Sequence, residues 1–201
     1  MNVLYEDHAG QVWLGTDGGL FRLDETSGQP IFQRVSLNLR EPDLPMIVRG
    51  LVEDNEGSLW VSTQGLGLIR RFPDGRTVHY AIQPSPLGDL CESLLFDHEG
   101  RLWVAHRGGA GLIVFKPEPA TSFDADEKLL TRRLAGSDCG AHSPDKRVRL
   151  PALPGEVCRY TTADGLASDF ILSGTYQSTD GRIWIGTAGG LTAFSEGRFQ
   201  S

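Results

Sequence analysis

The chain has 201 residues, enough for one ordinary domain with a sizeable core. At 39% hydrophobic and 22% charged it has the make-up of a soluble globular protein, and no apolar run approaches the roughly 18 residues a membrane helix needs. A net charge of −7 removes the electrostatic case for a nucleic-acid partner, and nothing here reads as direct membrane insertion.

Along the chain, Met1 runs almost at once into a strand pattern at Val3, Leu4 and Tyr5, so no secretory signal peptide is expected in this segment. A repeat follows. Its first copy carries Asp7, Gly10, Trp13, Gly15, Thr16, Gly18, Gly19 and Leu20. The second carries Asp54, Gly57, Trp60, Ser62, Thr63, Gly65, Gly67 and Leu68. The third has Asp97, Gly100, Trp103, Ala105, His106, Gly108, Gly109, Gly111 and Leu112. The fourth has Ser178, Gly181, Trp184, Gly186, Thr187, Gly189, Gly190 and Leu191. All four tryptophans of the protein hold the same repeat position, which chance does not produce.

Each piece has a physical reading. Asp-x-x-Gly is a tight turn, in which the carboxylate accepts a backbone N–H and glycine supplies a positive φ. The next residues alternate as a strand does, and Gly-Gly or Gly-x-Gly makes a second hairpin. In the second copy, residues 47–53 form the innermost strand, and 68–72 and 76–80 supply two more around the turn at Pro73, Asp74 and Gly75. One unit is therefore a four-stranded antiparallel meander. Tryptophan spacings of 47 and 43 residues suit one propeller blade, and an indole at a fixed position fills the gap between stacked blades.

The predicted fold is an all-β β-propeller of about four four-stranded antiparallel blades in a single domain, 1–201. Blade one covers about 3–36, blade two about 46–80, blade three about 91–116 plus 156–160, and blade four about 170–201. Three arrangements stay open: an open arc of a seven-bladed propeller, a closed four-bladed ring, and two chains pairing into an eight-bladed ring. The 81-residue gap between Trp103 and Trp184 is read as an insertion, about 117–155, between strands three and four of blade three. It lacks the tryptophan and the Asp-x-x-Gly turn, so a degenerate fifth blade is the lesser reading. A hairpin around Lys128 to Leu134 is expected inside it.

The signature Asp-x-x-Gly-x-Leu-Trp-Val-Gly-Thr-x-x-Gly-Leu resembles the two-component regulator propeller repeat. The lead-in from Tyr160 through Asp164, Gly165, Leu166 and Ser168 to Asp169 is similar to that family's link between blades, with Ala167 where proline is usual. The resemblance implies a periplasmic or extracellular sensor region. In such proteins a seven-bladed propeller precedes a membrane helix and a histidine kinase or cyclase output, reads a ligand, often a carbohydrate, and passes a dimer rearrangement across the membrane. The output modules are absent from this chain, so it is expected to be non-catalytic. Ala105 and His106 in the third copy and Ser178 in the fourth depart from the pattern.

Chain direction gathers the turns between strands two and three with the links between blades on one face. The candidate ligand-contact residues there are Asp17, Gln64, His106, Arg107, Asp89 and Asp169, with His106 and Arg107 foremost because they break the repeat where it has no need of them. Asp7, Asp54 and Asp97 are read as turn-makers. No catalytic set, cofactor site or metal ligand set is expected; Cys139-x-x-His142 with Cys158 lacks a fourth zinc ligand. Cys139 and Cys158 pair in an oxidising compartment, and three free thiols is the other reading. The functional expectation is a ligand- or partner-sensing module whose partners are a small molecule or glycan and either the remaining blades or a second copy. The alternatives are a streptogramin-lyase-like enzyme using His106 with Asp89 or Asp169 and magnesium, and a pure assembly scaffold.

Overall fold

The computed structural model describes residues 1–26, 28–39, 46–81, 89–123, 129–134, 137–139 and 147–201. Four antiparallel meanders follow one another. The first is β1 (Val3–Glu6), β2 (Val12–Thr16), β3 (Gly19–Asp24) and β4 (Ile31–Arg34). The second is β5 (Ile47–Glu53), β6 (Leu59–Gly65), β7 (Gly67–Arg71) and β8 (Thr77–Ala81). The third opens with β9 (Asp89–Phe96), β10 (Leu102–His106) and β11 (Gly111–Phe115). The inserted segment then supplies β12 (Leu129–Arg133) and β13 (Ser137–Asp138) before β14 (Val157–Tyr160) closes the third meander against β11. The fourth is β15 (Ile171–Gln177), β16 (Ile183–Thr187), β17 (Gly190–Ser195) and β18 (Arg198–Gln200). No α-helix occurs among the described residues.

The repeat aspartate does more than make its turn. In the second copy Asp54 Oδ1 accepts the backbone N–H of Glu56 (3.0 Å) and Ser58 (2.8 Å), while Oδ2 accepts the indole N–H of Trp60 at 2.8 Å. Asp7 and Asp97 repeat this with Trp13 and Trp103, both at 2.8 Å. One carboxylate thus shapes the turn and locks the rotamer of the tryptophan six residues on. A buried indole N–H needs such a partner. Gly57 closes the turn at φ 77°, where a side chain would be strained, and Gly10, Gly100 and Gly181 occupy the same place. In the fourth copy Ser178 Oγ accepts from Trp184 at 3.2 Å, and Asp180 takes over the backbone bond to Arg182.

The meanders bury apolar faces in series, through three clusters. Trp13, Leu20, Val48, Leu59, Val61 and Ile69 fill the first seam. Trp60, Leu68, Tyr80, Leu102, Val104 and Phe115 fill the second. Trp103, Leu112, Ile183, Ile185, Phe194 and Phe199 fill the third. The second and third tryptophans face the following meander: Trp60 meets Phe115 at 5.6 Å between ring centres, and Trp103 meets Phe194 at 5.2 Å. Burying such a ring contributes roughly 2–3 kcal/mol.

The insertion is laid along the outer edges of the sheets. β12 adds in parallel to β8 of the second meander, and β13 adds in parallel to β14. The expected hairpin around Lys128 to Leu134 is therefore corrected: residues 129–133 form a single strand on a neighbouring sheet edge, whose unpaired backbone groups offer a ready template. Lys128 itself lies outside the described residues. Phe123 packs on Phe72 at 5.6 Å, and the Val148 N–H reaches the Gly197 carbonyl at 2.7 Å. A disulfide joins Cys139 to Cys158, so the zinc arrangement built on those cysteines does not form; Cys91 is buried and in no disulfide.

Candidate functional site

The face formed by the turns between second and third strands and the links between meanders was the expected contact surface. His106 is 2% exposed. Its Nδ1 faces the Gly108 N–H at 3.0 Å and its Nε2 faces the Leu90 N–H at 3.3 Å. At the same repeat position, the hydroxyls of Thr16, Thr63 and Thr187 accept from Gly18, Leu66 and Gly189. His106 therefore does the threonine's work of holding its turn, and its departure from the repeat is explained by that role. Ligand contact through His106 is corrected on this ground: the ring is buried and both nitrogens are turned to the backbone.

The other candidates are placed differently. Arg107 is half-exposed and pairs with Glu92 at 3.2 Å, while its N–H binds the Leu90 carbonyl at 2.9 Å. Asp17 is exposed and accepts from the Asn2 amide at 2.8 Å. Gln64 Oε1 accepts from Arg49 at 2.9 Å. Asp169 staples the link, accepting the Thr162 N–H at 2.6 Å, and its carbonyl takes the Gly111 N–H at 3.1 Å. Gly111 sits at φ 75°, and a Cβ there would collide with the Tyr160 carbonyl, so this crossing of link and turn admits only glycine. Asp89 pairs with Gly65 through its backbone, and its side chain falls outside what is described. Of the expected set, Asp17 and Arg107 are exposed and Gln64 and Asp169 partly so; Asp17, Gln64 and Arg107 stand on three different meanders. Among the described residues, no group of three or more His, Cys, Asp or Glu side chains is placed to hold a metal ion.

Two features escaped the sequence reading. Arg70 of β7 is buried, paired with Asp54 at 2.6 Å and Glu56 at 2.7 Å, and donates to the Glu118 carbonyl at 2.7 Å. Its guanidinium lies over Trp60 and Phe72, 5.1 and 4.7 Å from the ring centres. It pins the start of the insertion, whose Ala120 N–H binds Glu56 at 2.9 Å. The second feature is a cleft of about 510 Å³ at the outer edge between the first two meanders, lined by Trp13, Arg22, Arg34, Arg71, Asp74 and Arg76 among others. The signal for both was present: Arg22 and Arg70 occupy one repeat position, two residues after the leucines Leu20 and Leu68.

A family model described as the two-component regulator propeller matches residues 44–65 and 165–189, which reach over β5 and β6 and over the end of the last link, β15 and β16. Histidine kinase P4 of Formosa agariphila is 32% identical over 68 residues, 32% of this chain and 5% of that protein. The extracellular domain assigned to a hybrid two-component system of B. thetaiotaomicron superposes with a TM-score of 0.60 at 18% identity, covering 94% of this chain and 20% of that one. A virginiamycin B lyase from Staphylococcus aureus gives 0.59 at 14% identity, over 99% of this chain and 54% of that one. The chain thus spans a small part of the kinase and between a fifth and about half of these structures. At such identities the structural likenesses speak to the fold, since one propeller serves many chemistries. The fold is all-β, and two of its stretches, 44–65 and 165–189, match the two-component regulator propeller model, so the chain carries repeats similar to those of that family.

Proposed function

We propose that this chain is a ligand- or partner-sensing propeller module of a bacterial two-component system, non-catalytic in itself and working outside the cytoplasm. The observation that carries the reading is the repeat itself: the matched residues, 44–65 and 165–189, include the Asp54–Trp60 pair and its Ser178–Trp184 counterpart. The Cys139–Cys158 disulfide supports an oxidising compartment. The surface residues Asp17, Gln64 and Arg107 offer polar contacts on the turn face, where a rigid scaffold presents variable side chains.

The two ends of the stack add a partner. Leu4 on the first meander and Leu172, Tyr176 and Leu191 on the fourth are all more than half exposed. Apolar surface of this kind marks an association face. It is covered, in this proposal, by another unit of the same repeat, from the remaining blades or a second copy.

The test is a calorimetric screen of the chain against neutral and acidic oligosaccharides, run beside a streptogramin lyase assay with and without magnesium. Saturable binding that weakens in a D17N/Q64A/R107A variant, with no turnover, supports the sensing reading. Turnover of the antibiotic by the chain overturns it, and absence of binding together with tight self-association favours an assembly scaffold.

A further inference from the structure

We propose that the cleft between the first and second meanders binds an oxyanion group, a carboxylate, sulfate or phosphate carried by a small ligand. The cleft is at the outer edge of the stack and shares no residue with the turn face discussed above.

Its walls come from both meanders. Trp13, Arg22 and Gln33 stand in one row across β2, β3 and β4. Arg71 reaches over from β7, its guanidinium 5.6 Å from the centre of the Trp13 ring, and Arg76 follows from the next turn. Four arginines therefore line the space with one carboxylate, Asp74, and Asp74 is taken by the Arg76 guanidinium at 2.7 Å and its N–H at 2.9 Å. Among the described residues, Arg22, Arg34 and Arg71 make no ion pair within 4 Å. Asp24, two residues along β3 from Arg22, is hydrogen-bonded to Thr26 and Gln33, and those Thr26 bonds together with the field of Arg22 hold its carboxyl below the usual range.

Arg71 is the most telling member. Its Nε is buried and has no acceptor. Burial, and then the neighbouring Arg22 charge, push its guanidinium below the ordinary arginine range. The second meander shows what a structural arginine looks like at the repeat position of Arg22: Arg70 is neutralised by Asp54 and Glu56. In the first copy the place of Glu56 is held by Ala9, and Arg22 remains exposed beside three more guanidinia. In a protein of net charge −7, uncompensated arginines gathered on one cleft form a local anion trap, and planar guanidinium forks match the oxygens of carboxylate, sulfate and phosphate.

The test titrates the full chain with sodium sulfate, sodium phosphate and sodium acetate, each balanced with chloride to constant ionic strength, while the Trp13 indole N–H is followed by NMR. Saturable shifts confined to Trp13 among the four indoles are expected. They should weaken by about tenfold or more in R22Q/R34Q, the loss of two charge-assisted contacts at exposed positions. R22K/R34K keeps the charge, loses the fork and should fall between. Glucose 6-sulfate, glucose 6-phosphate and glucuronate then sort the three oxyanions, with glucose as the neutral control. An equal response to chloride, unchanged binding in R22Q/R34Q, or the same loss in the remote R182Q variant overturns the site.

Discussion

The seam between the second and third meanders and the outer face of the fourth are made from the same repeat positions, yet they meet opposite surroundings. Leu20, Leu68 and Leu112 are 0% exposed, and Leu191, their counterpart, is 58% exposed. Trp60 and Trp103 are fully buried against aromatic rings of the next meander, and Trp184 is partly exposed. The hydrogen-bonding partner changes as well: a carboxylate holds each interior indole, a serine hydroxyl the last. The sequence pattern therefore specifies the blade, but the worth of each side chain depends on whether a neighbour stands beside it. Because sheets of this kind bury one face only by stacking, stability is carried by seams and falls off at the ends.

The sharpest way to break this comparison is to cut the same side chain at both places. Trp103→Ala removes a fully buried ring from the third seam and should cost about 3–5 kcal/mol in urea unfolding. Trp184→Ala should cost about 1 kcal/mol, because much of its transfer term is already unrealised. Equal losses would show that exposure does not grade these seams. Arginine gives the second contrast. Arg70→Ala strands the buried Asp54 carboxylate, breaks the pair with the exposed Glu56 and frees the start of the insertion, so a loss of about 3 kcal/mol is expected. Arg22→Ala, at the same repeat position in the first meander, should stay within about 0.5 kcal/mol. Both pairs are read from denaturation midpoints at constant slope.

Much of this was legible beforehand, because the repeat is a physical device written four times. Trp13, Trp60 and Trp103 announced the seams, the Asp-x-x-Gly turns announced the hairpins, and the strand spans of the second meander emerged close to their expected bounds. What stayed hidden depends on groups brought together from different repeats. The burial of His106 follows from Leu90 and the link preceding β9, which no pattern within the third copy reveals. The hydrogen bond from Arg70 to the Glu118 carbonyl uses the insertion, and the arginine cleft exists only where two meanders lie side by side. Departure from a repeat proved a poor guide to function at His106, where the histidine simply replaces a threonine.

The insertion offers a third, smaller contrast, between covalent and non-covalent anchoring of one segment. Cys139 and Cys158 close a loop of 19 residues in sequence separation, which on chain-entropy grounds is worth about 3 kcal/mol. Cys139→Ala with Cys158→Ala should lower stability by that order, and dithiothreitol should reproduce the loss in the parent but not in the variant. A parent indifferent to reductant would place the insertion's anchorage in its edge strands and in Arg70 instead.

A further non-covalent anchor, at the end of the same segment, is Glu156, and its effect should be the smallest. The N–H of Ala152, the guanidinium of Arg149 and the N–H of Leu153 bind its carboxylate, in that order of influence, and hold it at about 2 against an ordinary 4.5. A carboxyl depressed in the folded state stabilises fully above its unfolded value, and that contribution is lost as pH falls toward the folded one. Parent stability should therefore decline between about pH 4.5 and 2 with one more proton taken up on unfolding than in Glu156→Gln. Because Arg149 and Glu156 lie at the surface, salt should shrink the difference by screening. Matching acid profiles for parent and variant would mean that the strap is held by the disulfide and by the Val148–Gly197 backbone bond, and that the carboxylate only decorates its turn.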